Sequence, residues 1–410
     1  MKQRLVVIGN GMAGMRTVEE LLSAAPDKYH ITVFGAEPYG NYNRIMLSSV
    51  LCGEKTIEDI VINNRQWYID HGITLYAGEA KTVTRIDRKK KTVYAQDGTC
   101  ADYDRLLIAT GSKAVMPQIP GTDLDGVISF RDIFDVNKML SYSRSHKKAI
   151  VLGGGLLGLE AANGLASRGM EVTVIHNNAI LLNRQLDKPA ATLLQTELEQ
   201  RGLKFKMAAK LKQLSGDENS HITAVKFEDD SQLDCDLFIT AIGVRPNITL
   251  AQAAGIYCER GIVVNDTLQS YDPSIYAVGE CIQHRGDTFG LVAPLFEQAK
   301  VCANHLSAHG AAEYITLPTA TKLKVTVINL FSVGDFHGDS DCQNITFNDP
   351  ALGIYKKLVI KANRLIGAVL YGDTADGSWY QQLLEQEENI SEIREALIFG
   401  KTYARELCHD

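Results

Sequence analysis

The chain has 410 residues, too many for one hydrophobic core and enough for two or three domains. At 45% hydrophobic and 22% charged it has an ordinary globular composition, and a net charge of -7 argues against bulk nucleic-acid binding. No basic segment precedes a long apolar run, so neither a signal peptide nor a membrane span is expected, and the expected location is cytoplasmic.

Residues 5–8 predict a buried strand that runs into Gly9-Asn10-Gly11-Met12-Ala13-Gly14 and an amphipathic helix to residue 24. Strand, glycine turn and helix together form a dinucleotide-binding fingerprint. Gly9 allows the tight turn, Gly11 lets backbone approach a pyrophosphate, and Gly14 lets helix and strand pack closely. The free N–H groups of the helix start, at Met12 and Ala13, face the phosphates. A strand over 31–34 completes a β-α-β unit. Glu37 follows, 23 residues beyond Gly14, where an acidic side chain accepts hydrogen bonds from an adenosine ribose; a solvated loop carboxylate is the competing reading. The loop over 38–49 leaves the carboxyl ends of parallel strands. Asn43, Arg44 and Ser48 are placed there to meet a pyrophosphate or a cofactor ring edge, with a structural loop as the alternative.

Short strands are expected over 73–93, with a charged hairpin at Lys89-Lys90-Lys91. A strand ending at Ile108 is stopped by Ala109-Thr110-Gly111, whose glycine lets backbone pass close to a bound cofactor. Pro117 and Pro120-Gly121 mark a boundary.

The fingerprint then recurs, 144 residues on. A strand over 149–152 feeds Gly153-Gly154-Gly155-Leu156-Leu157-Gly158, and a helix follows over 159–165. Two fingerprints mean two dinucleotides, and a protein holding two usually passes electrons between them. At the end of the next strand (171–176) a carboxylate would favour NADH and a following arginine NADPH. The chain has His176-Asn177-Asn178 there and no arginine before Arg184, which leans towards NADH. A helix over 188–200 and strands over 224–227 and 237–242 complete this unit. The strand over 275–278 ends in Gly279-Glu280 and is read as a return to the first sheet, with Glu280 aimed at the sugar-like chain of the first cofactor. Pro294 is expected to open a helix to residue 306. From Pro318 strands over 325–330, 353–360 and 365–370, a hairpin at Asn363-Arg364 and a helix over 379–388 predict a smaller α+β domain.

Cysteines stand at 52, 100, 235, 258, 281, 302, 342 and 408 with no CxxC pair, so no zinc knuckle, no local iron–sulfur run and no metal site is expected.

Together, Gly9-x-Gly11-x-x-Gly14 with Glu37, Ala109-Thr110-Gly111, Gly153-x-Gly155-x-x-Gly158-x-Glu160, Gly243-x-Arg245-Pro246-Asn247 and Ala277-Val278-Gly279-Glu280 resemble the pyridine nucleotide–disulfide oxidoreductase superfamily over essentially the whole chain. Within it the likeness is greatest to the NAD(P)H/FAD module of nitrite reductase large subunits, with rubredoxin and ferredoxin reductases further off. The resemblance implies an α/β fold: two Rossmann-like three-layer domains and a small α+β C-terminal domain. The expected division is 1–112 and 245–317 for FAD, 113–244 for NAD(P)H, and 318–410 for the interface domain. It implies FAD on Gly9, Gly11, Gly14, Glu37, Thr110, Gly111, Gly279 and Glu280, with Leu295 and Phe296 at a helix start facing the flavin. It implies NAD(P)H on the second turn, near Gly243, with Glu160 beside the nicotinamide. The expected activity is electron transfer from NAD(P)H through flavin to an iron–sulfur or haem protein or a catalytic reductase subunit, in nitrate or nitrite assimilation. Alternatives are a rubredoxin or ferredoxin reductase, an oxidase using oxygen or quinone, and a non-catalytic FAD-binding sensor. A homodimer is left open. Members that reduce disulfides carry a redox cysteine where this chain has Ser49; Cys52, three residues on, has no partner in sequence.

Overall fold

The computed structural model describes residues 2–316, 320–325 and 328–406; Pro318 and Cys408 lie outside these, as do residues 326 and 327 of the strand expected over 325–330. A five-stranded parallel sheet runs in the order Ile275–Ala277, Arg105–Ile108, Gln3–Ile8, Tyr29–Gly35, Thr74–Ala77. Its middle strands are buried on both faces, which is why they read as continuous apolar runs. The helix Met12–Ala24 packs against the helix Val292–Leu306. An antiparallel meander (Val83–Asp87, Thr92–Ala95, Cys100–Asp102) belongs to the same domain. The chain thus returns after the long excursion 109–274 to add Ile275–Ala277 beside Arg105–Ile108, as expected.

A second parallel sheet repeats the plan in the order Val127–Ser129, Leu237–Thr240, Lys148–Leu152, Glu171–Ile175, Lys204–Lys206. It carries the helices Ile133–Ser145, Leu156–Ser167 and Lys188–Gln200. A third, antiparallel sheet of five strands, Thr321–Val325, Ile328–Gly334, Arg364–Tyr371, Ile354–Lys361 and Gln343–Asp349, packs on the helix Gly377–Glu385. Its tight hairpin has Ala362 and Asn363 at φ of 49° and 56°, the left-handed pair such a two-residue turn requires.

Several expected boundaries move. The last helix of the first domain begins at Val292, so Pro294 is inside its first turn; a missing N–H is harmless there because the first four have no helical acceptor. The strand expected to reach Ile242 ends at Thr240, and the helix expected to reach Glu388 ends at Glu385. The helix Ile133–Ser145, capped by Asp132 on the Asp135 N–H, and the largely exposed edge strand Gln343–Asp349 were not anticipated.

One apolar cluster joins a short helix of the first domain to the second and third sheets. Leu47, Val50 and Leu51 of the short helix Leu47–Cys52 pack with Leu159, Ala162 and Leu165, and the cluster continues into Tyr355, Val359 and Val369. A Cβ on Gly164 would stand 2.6 Å from Leu51 Cγ, so these helices touch backbone to side chain. Arg168 donates to the Leu51 and Val50 carbonyls at 2.7 and 3.2 Å, satisfying the end of the short helix from the neighbouring domain.

Candidate functional site

The two glycine turns are built alike, atom for atom. The Gly9 N–H donates to Phe34 O and the Gly153 N–H to Ile175 O, both at 2.8 Å. Gly9 and Gly153 have φ of +115° and +124°, and a Cβ on either would strike a neighbouring strand's carbonyl: Ala109 O at 2.1 Å, Ala241 O at 2.3 Å. A Cβ on Gly14 or Gly158 would meet the turn's own first carbonyl, at 2.8 and 1.9 Å. Gly11 and Gly155 are different: nothing lies within 4 Å of a Cβ at either. Each of these last two stands before a helix that has no side-chain cap and no acidic residue in its first turn. The open space and uncapped N–H groups fit the pyrophosphates of two dinucleotides.

Around the first turn, Asn10 is fixed by Tyr68 Oη, which donates to its Oδ1 at 2.6 Å, and by its own bond to Tyr39 O at 3.2 Å. Glu37 is engaged on both oxygens: Tyr42 Oη donates at 2.7 Å and Arg44 Nη2 at 2.8 Å. Arg44 Nη1 also donates to the Arg131 carbonyl at 2.7 Å. Arg131 in turn ion-pairs with Glu280, which accepts the Ser112 hydroxyl at 2.8 Å. The Arg131 Nε is buried with no partner. Polar groups therefore run without a break from Glu37 at one end of the crevice to Glu280 and Ser112 at the other. Arg131 is the residue that spacing did not reveal; it follows a short strand with no motif of its own. Its backbone N–H is held by Asp135, whose carboxyl burial and nearby Asp132 push up to about 6.

The other anticipated residues divide into those that face the site and those that frame it. Asn43 caps the turn Arg44–Met46 by accepting from the Ile45 N–H at 3.1 Å. The Thr110 hydroxyl donates to Asn247 O at 2.8 Å, tying the first sheet to the segment that follows the second. Gly279 donates its N–H to the fully buried Gln298 at 2.9 Å. The Leu295 side chain is part of the first core, while Phe296 lies under Arg16 at 5.6 Å.

At the second turn the strand-end residue is an imidazole. The Gly154 N–H donates to His176 Nδ1 at 3.2 Å, which places the ring proton on Nε2, buried and unpartnered. Burial lowers the His176 pKa, so the ring is neutral at pH 7. Glu160, one turn into the helix Leu156–Ser167, is a half-buried carboxyl that desolvation raises to about 7. The Ser48 hydroxyl donates within its own loop, to Ile45 O at 3.2 Å. Burial also raises the Cys52 thiol, whose sulfur accepts from Asn163 at 3.6 Å, and no described cysteine is bonded to another. Among the described residues no cluster of His, Cys, Asp and Glu is arranged to hold a metal ion, and no helix is long and apolar enough to cross a membrane.

Residues 3–305 match the family described as pyridine nucleotide-disulphide oxidoreductase, and residues 319–388 match the rubredoxin NAD+ reductase C-terminal domain. The chain is 46% identical over 391 residues to a nitrite reductase [NAD(P)H] of Bacillus subtilis, covering 95% of this chain and 48% of that protein. It is 44% identical over 401 residues to the assimilatory nitrate reductase electron transfer subunit of the same organism, covering 98% and 52%. It spans about half the length of these curated relatives. Among solved structures, NADH:rubredoxin oxidoreductase from Clostridium acetobutylicum superposes with a TM-score of 0.78 at 26% identity, over 96% of this chain and 97% of that one. With two intact dinucleotide cradles in a fold shared throughout, the chain belongs to the pyridine nucleotide-disulphide oxidoreductase family and is an FAD- and NAD(P)H-dependent oxidoreductase.

Proposed function

We propose that this chain takes electrons from NAD(P)H and passes them to an iron–sulfur or haem centre of a catalytic reductase in nitrate or nitrite assimilation. The observation that carries the reading is the pair of matching glycine turns, in domains joined by the packing of the helix Leu47–Cys52 on the helix Leu156–Ser167. In this reading residues 1–112 and 245–317 hold FAD, 113–244 hold NAD(P)H, and 318–410 form the face towards a partner. When bound, FAD accepts a hydride and releases its electrons one at a time, chemistry no side chain supplies.

The chain's own residues bind, orient and hold protons. Gly11 and Gly155 open the backbone to the pyrophosphates, and Arg44 and Arg131 supply positive charge along the first crevice. Glu280 and Ser112 present oxygen atoms to a polyhydroxyl chain. The helix Val292–Leu306 starts without an acidic residue or a side-chain cap, leaving its N-terminus to stabilise negative charge. Glu160, titrating near neutrality at the seam, holds or gives up one proton at its carboxyl without a large energetic cost. With Ser49 in the redox-cysteine position and Cys52 held as a thiol, disulfide exchange finds no nucleophile.

The reading is tested by mixing the flavin-loaded protein with NADH under argon. Prompt loss of the yellow absorbance is expected, followed by recovery when a nitrite or nitrate reductase catalytic unit is added. The likeness of residues 319–388 to a rubredoxin reductase domain makes rubredoxin the second acceptor to compare. Faster reoxidation by rubredoxin, or by oxygen alone, would move the activity out of nitrogen assimilation. A flavin that NADH leaves yellow would reject the whole scheme.

A further inference from the structure

The segments that leave the two cradles pair with each other. Ser112–Ala114 and Val244–Pro246 form an antiparallel ladder in which Lys113 lies directly opposite Arg245. The pattern extends symmetrically: Asn247 N donates to Gly111 O and Val115 N to Gly243 O, both at 2.9 Å. The ladder is therefore the joint between the domains. Its Ser112 side chain reaches Glu280 at 2.8 Å, on the face of the first crevice. Side chains alternate along a strand, so Lys113 and its partner Arg245 project from the reverse face.

Two like charges directly opposite each other weaken a ladder. Both cations are exposed, and neither has a counter-ion or hydrogen-bond partner among the described residues. They border a cavity of about 470 Å³ lined also by Gln118, Asn247, Met116 and Ile242. None of its lining residues belongs to either glycine turn. Met116 and Ile242 are exposed at 37% and 41%, an apolar wall beside the charges. A cavity of that size is within the range of about 300–1,000 Å³ that takes small ligands.

We propose that the reverse face of this joint binds a small phosphate monoester, its phosphate bridging Lys113 and Arg245 and its organic part resting on Met116 and Ile242. The charge argues for a monoester. Two cations are balanced by the roughly -1.5 to -2 of such a group at neutral pH, where a carboxylate would leave one uncompensated. The arginine fork can meet two phosphate oxygens at once, and the lysine supplies a point charge. Occupancy removes the repulsion across the ladder and so stiffens the connection between the two cradles.

The test uses the flavin-loaded protein saturated with NAD+, so that neither glycine turn is free, titrated calorimetrically with phenyl phosphate, inorganic phosphate and sulfate. Phenyl phosphate is expected to bind one saturable site, about tenfold more tightly than either inorganic ion. K113Q and R245Q should each weaken it by about tenfold or more while keeping the flavin spectrum. The ligand should raise the melting temperature of the parent protein and leave that of R245Q unchanged. Absence of a saturable site in the parent overturns the proposal, as does undiminished binding in both variants, which would mark an adventitious anion only. The thermal-shift comparison decides the matter should either variant fold poorly, because it is read on the parent as well.

Discussion

The two cradles share a backbone and differ in what surrounds it. Around the first turn, Asn10, Glu37 and Arg44 each have at least two hydrogen bonds, and both oxygens of Glu37 are already engaged. Around the second, Gly154 stands in place of Asn10 and His176 follows the strand; a single bond joins backbone to ring, and the ring's other nitrogen is left without a partner. The first cradle is a closed network suited to a resident cofactor. The second is sparsely tied and suited to a nucleotide that comes and goes. Glycine geometry is thus common to both, and residence time is set by the polar shell.

Moving a Cβ into either turn breaks the comparison hardest. In Gly158→Ala the new atom would stand 1.9 Å from Gly153 O, against 2.8 Å for Gly14→Ala. Overpacking of this kind costs about 1–3 kcal/mol and occasionally more. The tighter second turn should show the larger drop in melting temperature, with flavin still bound; an equal drop in both would mean that the second turn relaxes. Next, Arg131→Ala leaves the partly buried Glu280 without its cation, a loss of about 1–3 kcal/mol. Flavin retention should fall in proportion on desalting, with NADH affinity untouched in whatever holoenzyme remains.

Gly11→Ala and Gly155→Ala sharpen the contrast because each methyl enters open space. The unfolding free energy of the cofactor-free protein should stay within about 0.5 kcal/mol of the parent. Gly11→Ala should lose flavin, and Gly155→Ala should raise the KM for NADH by about tenfold, or about 1.4 kcal/mol. His176→Ala removes the acceptor of the Gly154 N–H, at a cost of about 1 kcal/mol read from chemical denaturation.

The last contrast is one of pH. Burial raises the folded pKa of Glu160 to about 7 from an unfolded value near 4.5, so the native state binds more protons than the unfolded one between those values. Its contribution is therefore best at low pH and declines as pH rises from about 4.5 to 7, which is the reverse of a salt-bridged carboxylate. Glu160→Gln should flatten that decline, so that the variant gains on the parent as pH climbs from 5 to 8, measured by thermal melts. A constant difference across the range would place Glu160 in water.

Much of this was legible because the signals are local. Each fingerprint needs only a strand, three glycines and a helix start; Gly9, Gly14, Gly153 and Gly158 stand where packing demands them, and Gly11 and Gly155 face open space. The return of Ile275–Ala277 to the first sheet was readable from its short apolar run ending in Gly279-Glu280. What escaped depends on contacts far apart in sequence. Arg131 meets Glu280 across 149 positions, and nothing near Arg131 announces it. Glu37 read as a free ribose acceptor because Tyr42 and Arg44, though near in sequence, turn back on it only through the fold of the loop. The helix Ile133–Ser145 was missed because its buried face is only Ile133, Val136 and Met139, too narrow for periodicity to mark.

Arg168 reaches out of the second domain to finish the short helix of the first, and Gly164 lets Leu51 lie flush against it. A clamshell opening about the ladder would tear that seam apart and strand two carbonyls without donors. Closed against each other at this seam, the two lobes hold their glycine turns in one fixed relation, and any hinge motion between them must first break both bonds.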